Sequence, residues 1–245
     1  MTGRGMSGAI LDSGRQLMLS RAVLAEFASK GTPKQASFLL EFFTAELASR
    51  EENKRARLLK KARFPAPKSF ETFDWSHVRL PESLSRQDLT GCAFLPRCEN
   101  MVFFGGVGTG KTHLATAIGS AACGLAMETR FFTASELILT LARAKAEGRL
   151  DKVLSDIGKA DLVIIDEWGY VPVDTEGARL LFQVIADSYE RRSLLLTTNL
   201  EFSRWGSVLT DDQMAAAMID RLVHHGHMVI FEGESYRIRH ALMRN

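Results

Sequence analysis

The chain has 245 residues, 46% of them hydrophobic, and a formal net charge of +2. That is ample apolar material for a buried core, and no segment approaches the ~20 apolar residues that a membrane span requires. A near-neutral total excludes bulk charge as a source of nucleic-acid affinity, which must then come from uneven distribution.

Residues 1–15 carry four glycines and little pattern, and are expected to form a flexible end with no apolar run long enough for a signal peptide. From Gln16 to Ala28 the positions of Leu17, Val23, Leu24 and Phe27 predict a helix. Gly31-Thr32-Pro33 breaks it, with Thr32 as N-cap and Pro33 at the first position of the next helix. That helix runs to about Arg63 and carries Phe38, Leu39, Phe42, Phe43 and Leu47 at helical spacing. Pro65-Ala66-Pro67 ends it. Residues 16–66 are therefore read as a small all-helical domain and 67–245 as a second domain.

The end of the long helix is basic. Between Arg50 and Lys68, eight cations (Arg50, Lys54, Arg55, Arg57, Lys60, Lys61, Arg63 and Lys68) oppose Glu51 and Glu52. A charge run is usually a solvated helix face. Such asymmetry in a near-neutral chain points instead to contacts with a phosphate backbone, which position a protein on DNA without reading sequence.

After Pro67 short apolar runs alternate with helical stretches: Met101–Phe104, Glu128–Thr133, Leu162–Ile165, Leu194–Thr198 and Met228–Phe231. Five such runs separated by helices predict an α/β domain with a parallel five-stranded sheet buried on both faces. Cys92, Cys98 and Cys123 fit no zinc spacing and no even disulfide framework, and read as reduced thiols of a cytoplasmic protein.

Gly105-Gly106-Val107-Gly108-Thr109-Gly110-Lys111-Thr112 fits G-x-x-x-x-G-K-[ST] at every fixed position, between a predicted strand and a helix that begins near His113. Its glycines let backbone N–H groups crowd around phosphate oxygens, and the helix adds its positive dipole end. Lys111 reaches the β- and γ-phosphates of ATP, and the Thr112 hydroxyl can ligate Mg²⁺. Thr133-Ala134-Ser135-Glu136 reads as a capping box. Leu162–Ile165 runs into Asp166-Glu167, the Walker B arrangement, in which Asp166 holds Mg²⁺ and Glu167 polarises the attacking water.

Asn199, after the strand ending Thr197-Thr198, fits either a turn terminator or a group holding the lytic water with Glu167. Arg221 fits either a helix-surface ion pair or an arginine finger acting on a neighbouring subunit. Arg237 and Arg239 add two cations after the last strand. His224, His225 and His227 have no acidic or cysteine partner nearby in the chain and read as surface or interface residues.

The stretch Gly105–Thr112 with His113-Leu114-Ala115, followed by Asp166-Glu167-Trp168-Gly169, resembles the AAA+ ATPases of the DnaC helicase-loader group. Tyr189–Ser193 running into Thr197-Thr198-Asn199-Leu200 and Trp205-Gly206 resembles, more narrowly, the IstB transposition helpers of insertion sequences. So do Asp220–His225, Gly233–Arg237 and Arg63–Lys68, and the resemblance spans about residues 16–240. It implies an AAA+ ATPase that assembles into a ring or spiral, binds duplex DNA with little sequence preference and recruits or stimulates a transposase. A helicase loader with the same core is the alternative. The resemblance also implies that Arg221 is the arginine finger, Asn199 the first sensor and Arg237 a second-sensor arginine, within a C-terminal end reduced from the usual helical lid. Val107 departs from the Pro often found there, a change of loop stiffness more than of chemistry.

Overall fold

The computed structural model describes residues 3–236, with side chains from Met6 onward. The chain forms two compact units, Met1–Arg57 and Leu58–Asn245. The first unit contains α1 (Gly3–Gln16), α2 (Arg21–Lys30) and most of α3 (Pro33–Ala62). Its core is Ile10, Leu17, Leu24 and Phe43. The glycine-bearing start is thus helical rather than a flexible end. Ile10 is fully buried, and burying a side chain of that size stabilises by about 2 kcal/mol, set against a helix-propensity cost of ~1 kcal/mol for each glycine. Met18, at φ +63°, separates α1 from α2, so the single helix expected over Gln16–Ala28 is a turn followed by a helix. Thr32 precedes Pro33 as expected, with the Gln35 amide 3.4 Å from the Thr32 hydroxyl.

The division falls within α3, after Arg57, and not at the prolines. Leu58, Ala62 and Phe64 pack on Cys123 in the second unit, and Phe64 meets Phe131 edge-on at 6.1 Å. Pro65 and Pro67 mark where the helix must stop. They do not mark where packing changes hands.

The second unit is built on one sheet: β1 (Val78–Arg79), β2 (Asn100–Gly105), β3 (Thr129–Thr133), β4 (Leu162–Trp168), β5 (Ser193–Thr198) and β6 (Gly226–Phe231). The spatial order is β1-β6-β2-β5-β4-β3. Strands β2 to β6 pair in parallel, as the five apolar runs predict, and β1 adds a sixth, antiparallel edge strand on β6. Two residues are too short for any alternation to announce. The sheet is buried on both faces because adjacent residues of each strand feed different layers. Leu162 and Ile164 of β4 join Met101, Phe103 and Leu195 under α5 (Lys111–Gly124). Val163 and Ile165 join Leu194 and Leu196 under α6 (Ala134–Ala146), α8 (Thr175–Ser188) and α10 (Asp212–His224). The remaining helices of this unit are α4 (Arg86–Thr90), α7 (Leu150–Ile157) and α9 (Trp205–Leu209). The Thr133–Glu136 capping box is present, both of its bonds at 3.1 Å. Cys92 and Cys123 are buried and Cys98 half-buried, all three as free thiols; burial pushes the Cys92 thiol up to about 11.

Asn100 secures the opposite end of the sheet from the strand tips that carry the site. It is buried, and its Oδ1 accepts from the Leu194 amide at 2.9 Å. Its Nδ2 donates toward the Arg221 and Leu222 carbonyls at 3.4 and 3.3 Å. One amide therefore ties β2, the start of β5 and the end of α10. Asn100→Leu keeps the branching at Cγ and the number of heavy atoms but orphans a buried N–H and carbonyls, each costing ~1–3 kcal/mol. We expect unfolding followed by tryptophan fluorescence, all three tryptophans lying in this unit, to show a loss of about 2 kcal/mol or more. A change within ~0.5 kcal/mol would show that the amide does not hold these elements.

Candidate nucleotide site

The P-loop leaves the tip of β2 and enters α5. Gly105 admits no side chain, because a Cβ there would lie 2.2 Å from the Phe231 carbonyl oxygen of β6. Gly110, the N-cap of α5, sits at φ +98°, a conformation that suits glycine. Together they let the loop turn sharply and aim the N-terminus of α5 into a cleft of about 540 Å³. Lys111 lies along the loop, its Nζ donating to the Gly105 and Gly106 carbonyls at 2.7 and 2.6 Å. The Thr109 hydroxyl donates to the Gly106 carbonyl at 2.9 Å. Val107, Gly108, Thr109, Gly110, Lys111, Thr112 and His113 all line the cleft.

Asp166, at the tip of β4, is the meeting point of three elements. The Thr112 hydroxyl lies 3.1 and 3.0 Å from its two oxygens. The Thr197 hydroxyl, from β5, donates to Oδ1. That same hydroxyl accepts the Glu167 amide at 3.1 Å. In a regular strand the adjacent Asp166 and Glu167 would face opposite sides of the sheet. A one-residue bulge intervenes, since Ile165 pairs with Leu196 but Trp168 with Thr198, and Glu167 adopts φ +60°. The bulge re-aims the side chain, and both carboxylates line the cleft. Glu167 also borders a separate apolar cavity of about 420 Å³ walled by Trp168, Val173 and Trp205.

The far wall of the cleft comes from the segment between the prolines and β1. Pro65, Lys68, Thr72, Phe73, Asp74 and His77 line it. His113 Nε2 lies 2.9 Å from the Ser69 carbonyl oxygen, and the His113 and Phe73 rings stand edge-on at 5.3 Å. Tyr236 closes one side, its amide donating to the Gly108 carbonyl at 3.0 Å. Sequence reasoning missed this wall. Its aromatic spacing, Phe70, Phe73 and Trp75, follows neither helical nor strand period, and the only available sign was an aromatic cluster just ahead of a P-loop.

The structure does not bring every expected residue to the cleft. Asn199 is exposed and outside it; Thr197, two residues earlier, faces Asp166 instead. The reason is local: β5 ends at Thr198, whose hydroxyl lies 2.8 Å from the Trp168 carbonyl and 3.0 Å from the Leu200 amide, bending the chain away at Asn199. Arg221 is also remote from this cleft. Its Nη1 donates to the Ala217 carbonyl at 2.7 Å, and its guanidinium lies 5.1 Å from the Phe182 ring centroid. Arg237 and Arg239 lie outside the described residues.

The basic stretch is unevenly free. Arg50 pairs with Glu46 at 2.7 Å and Arg55 with Glu51 at 3.7 Å. Lys61 is held by Glu128 at 2.6 Å and faces Asp156 at 3.8 Å. The Arg130 hydrogen bond to Asp156 holds that carboxyl below its usual range, so Lys61 faces a charged partner. Among the described residues Lys54, Arg57, Lys60 and Arg63 are exposed and make no ion pair.

The chain matches the family described as IstB-like ATP binding protein over residues 16–243, and it belongs to that family. It is 38% identical over 218 residues, 89% of this chain and 87% of the other, to a Geobacillus stearothermophilus protein named for insertion sequence IS5376 and ATP binding. It is 37% identical over 216 residues, 88% and 82% of the two chains, to the corresponding IS21 protein of Pseudomonas aeruginosa. Among solved structures it resembles the DnaC helicase loader, with TM-score 0.51 and 21% identity over 62% of this chain and 92% of that one. It also resembles AMPPCP-bound DnaA from Aquifex aeolicus, with TM-score 0.53 and 15% identity over 72% and 54%. These two likenesses give the AAA+ fold.

Thr197→Val replaces the one hydroxyl that touches both Asp166 and the Glu167 backbone by a methyl of similar size. Affinity for ATP in the presence of Mg²⁺, followed by calorimetric titration, is expected to fall about tenfold, the effect of one lost positioning hydrogen bond of ~1.5 kcal/mol. Asn199→Ala should cost less. The reverse ranking would return the assignment to Asn199.

Proposed function

We propose that this member of the IstB-like ATP-binding family is an ATPase that assembles on duplex DNA and recruits or stimulates a transposase. The observation that carries the proposal is the Thr112–Asp166–Thr197–Glu167 constellation beside a complete P-loop, in a chain whose relatives are named for insertion sequences. A helicase loader shares the core, but the likeness to DnaC is one of fold at 21% identity.

ATP is bound by the loop amides of Gly105–Gly110 and the N-terminus of α5. Lys111 exchanges its two loop carbonyls for phosphate oxygens. The hydroxyl of Thr112 and the carboxylate of Asp166, already in contact, are the hard oxygen donors that Mg²⁺ prefers; bound there, the ion would neutralise phosphate charge. Glu167 takes the proton of the attacking water, and Thr197 fixes the backbone from which Glu167 projects. Arg221 stands outside its own chain's cleft, which supports an action on the ATP of a neighbouring copy. Lys54, Arg57, Lys60 and Arg63 are the cations left for DNA phosphates, with Arg50 and Arg55 able to exchange their glutamates. Arg143 of α6 and Lys152 of α7, both exposed, are further cations able to meet phosphates, as are Lys145 and Arg149. Lys145 is paired with Glu176 at 2.5 Å and Arg149 with Glu147, so both must likewise release a carboxylate. Lys61 is the weakest of the expected DNA contacts, since its ion pairs lie within the ATPase unit.

Removing a general base costs ~10²–10⁴ in rate. Glu167→Gln should therefore cut phosphate release by about 100-fold or more while ATP still binds, and particle mass in solution should show ATP-bound oligomers persisting on duplex DNA. Normal hydrolysis by this variant, or a monomer under every condition, would sink the proposal. Lys111→Ala and Arg221→Ala should each be inactive alone yet regain part of the turnover when mixed, because mixed neighbours pair an intact cleft with an intact arginine. No recovery on mixing would place Arg221 outside a shared site.

A further inference from the structure

The histidines that stand without an acidic neighbour in the sequence acquire one in the fold. Glu190 follows α8, whereas His224 ends α10 and His225 follows it. One ring nitrogen from each histidine and one carboxylate oxygen of Glu190 lie within 4.8 Å of one another. His225 Nε2 is 3.2 Å from Glu190 Oε1, and the two imidazole rings meet edge-on at 4.1 Å. The Tyr189 hydroxyl lies 2.9 Å from His224 Nδ1. His227 takes no part: its Nε2 is 3.3 Å from Glu99 and its Nδ1 3.1 Å from Ser83.

We propose that Glu190, His224 and His225 form a binding site for a divalent transition-metal ion. Two imidazoles and one carboxylate are the borderline nitrogen and oxygen donors that suit zinc, cobalt or nickel and that Mg²⁺ does not favour. Ligand atoms about 2.1 Å from a tetrahedral zinc stand ~3.4 Å apart, so the three side chains need only small rotations to close on an ion. The Tyr189 hydroxyl supplies the hydrogen bond that commonly orients a ligating imidazole from outside. Glu190 sits at φ +56°, and this turn brings its carboxylate back toward the end of α10.

The site is separate from the nucleotide cleft. It lies just ahead of Ser193 and Gly226, where β5 and β6 begin, whereas the cleft sits at the far tips of the parallel strands. A bound ion would cross-link the turn after α8 to the last turn of α10, three residues beyond Arg221. Being exposed, the site is open to exchange with solution.

The test is Co²⁺ titration of the full chain, free of any affinity tag, in excess Mg²⁺ so that Thr112 and Asp166 are not the reporters. We expect one Co²⁺ per chain with visible d–d absorption of low coordination number. His225→Ala and Glu190→Gln should each weaken uptake at least ~10-fold, since outer-shell changes alone cost 10–100-fold. His227→Ala should leave uptake unchanged. Far-UV circular dichroism and nucleotide binding check that the exposed substitutions leave the fold intact. No visible band in the wild type, or the same titration in His225→Ala, would overturn the site.

Discussion

The carboxylate of Asp166 is the contact on which the rest of the second unit depends. It is 4% exposed, and a charge so placed is costly unless hydrogen-bonded. Two hydroxyls meet that need, Thr112 from the first turn of α5 and Thr197 from β5. Each can be there only if β2, β5 and β4 lie side by side and in parallel, with their carboxyl ends level. The strand order β2-β5-β4 provides this. The apolar strands are thus the frame that brings three polar groups from residues 112, 166 and 197 to one point. The bulge after Ile165 then turns the next carboxylate toward the same cleft, where a regular strand would have sent it to the other face.

Close backbone approach is the second constraint, and it follows from the first. The loop between β2 and α5 starts at Gly105, which lies beside Phe231, the last residue of β6, and the Gly105 position touches the Phe231 carbonyl so nearly that no Cβ fits. Lys111 is 5% exposed and spends its ammonium on the loop's own carbonyls. A buried ammonium satisfied in this way can be handed to phosphate oxygens without ever being desolvated unpaired. The loop therefore holds the lysine at the place where it is needed and in a state it can leave.

What the sequence discloses divides by the range over which each interaction acts. The P-loop, the Walker B pair, the Thr133 capping box and the five buried strands are set by neighbours within a few residues or by local apolar period, and each was legible. Thr197 was not, because only the register of β5 against β4 distinguishes it from Asn199. The wall carrying Phe73 and His77 was not, because Phe73 is held by ring contacts with Trp75 and His113 and His77 by the Glu232 amide, which donates to its carbonyl. Strand β1 has two residues and no pattern. The prolines at 65 and 67 disclosed a helix end, but the packing boundary lies earlier, where Leu58 begins to touch Cys123. The partner of His224 and His225 lies some 35 residues away in Glu190, beyond any spacing rule.

The two ends of the sheet are mechanically one object. Asn100 begins β2, and Gly105, at its other end, begins the P-loop; six strand residues span roughly 20 Å. The same asparagine side chain accepts from Leu194 of β5, three residues before Thr197, and donates to the Arg221 and Leu222 carbonyls. The backbone of Arg221 is therefore fastened to the two strands whose tips form the cleft. Packed interiors transmit displacement with little compliance, so a shift of the strand tips around a bound phosphate must either move the end of α10 or strain the Asn100 bonds. That connection runs through buried amides and close-packed strands. It gives the protein a physical route by which occupancy of the cleft shifts the end of α10, the helix that carries Arg221.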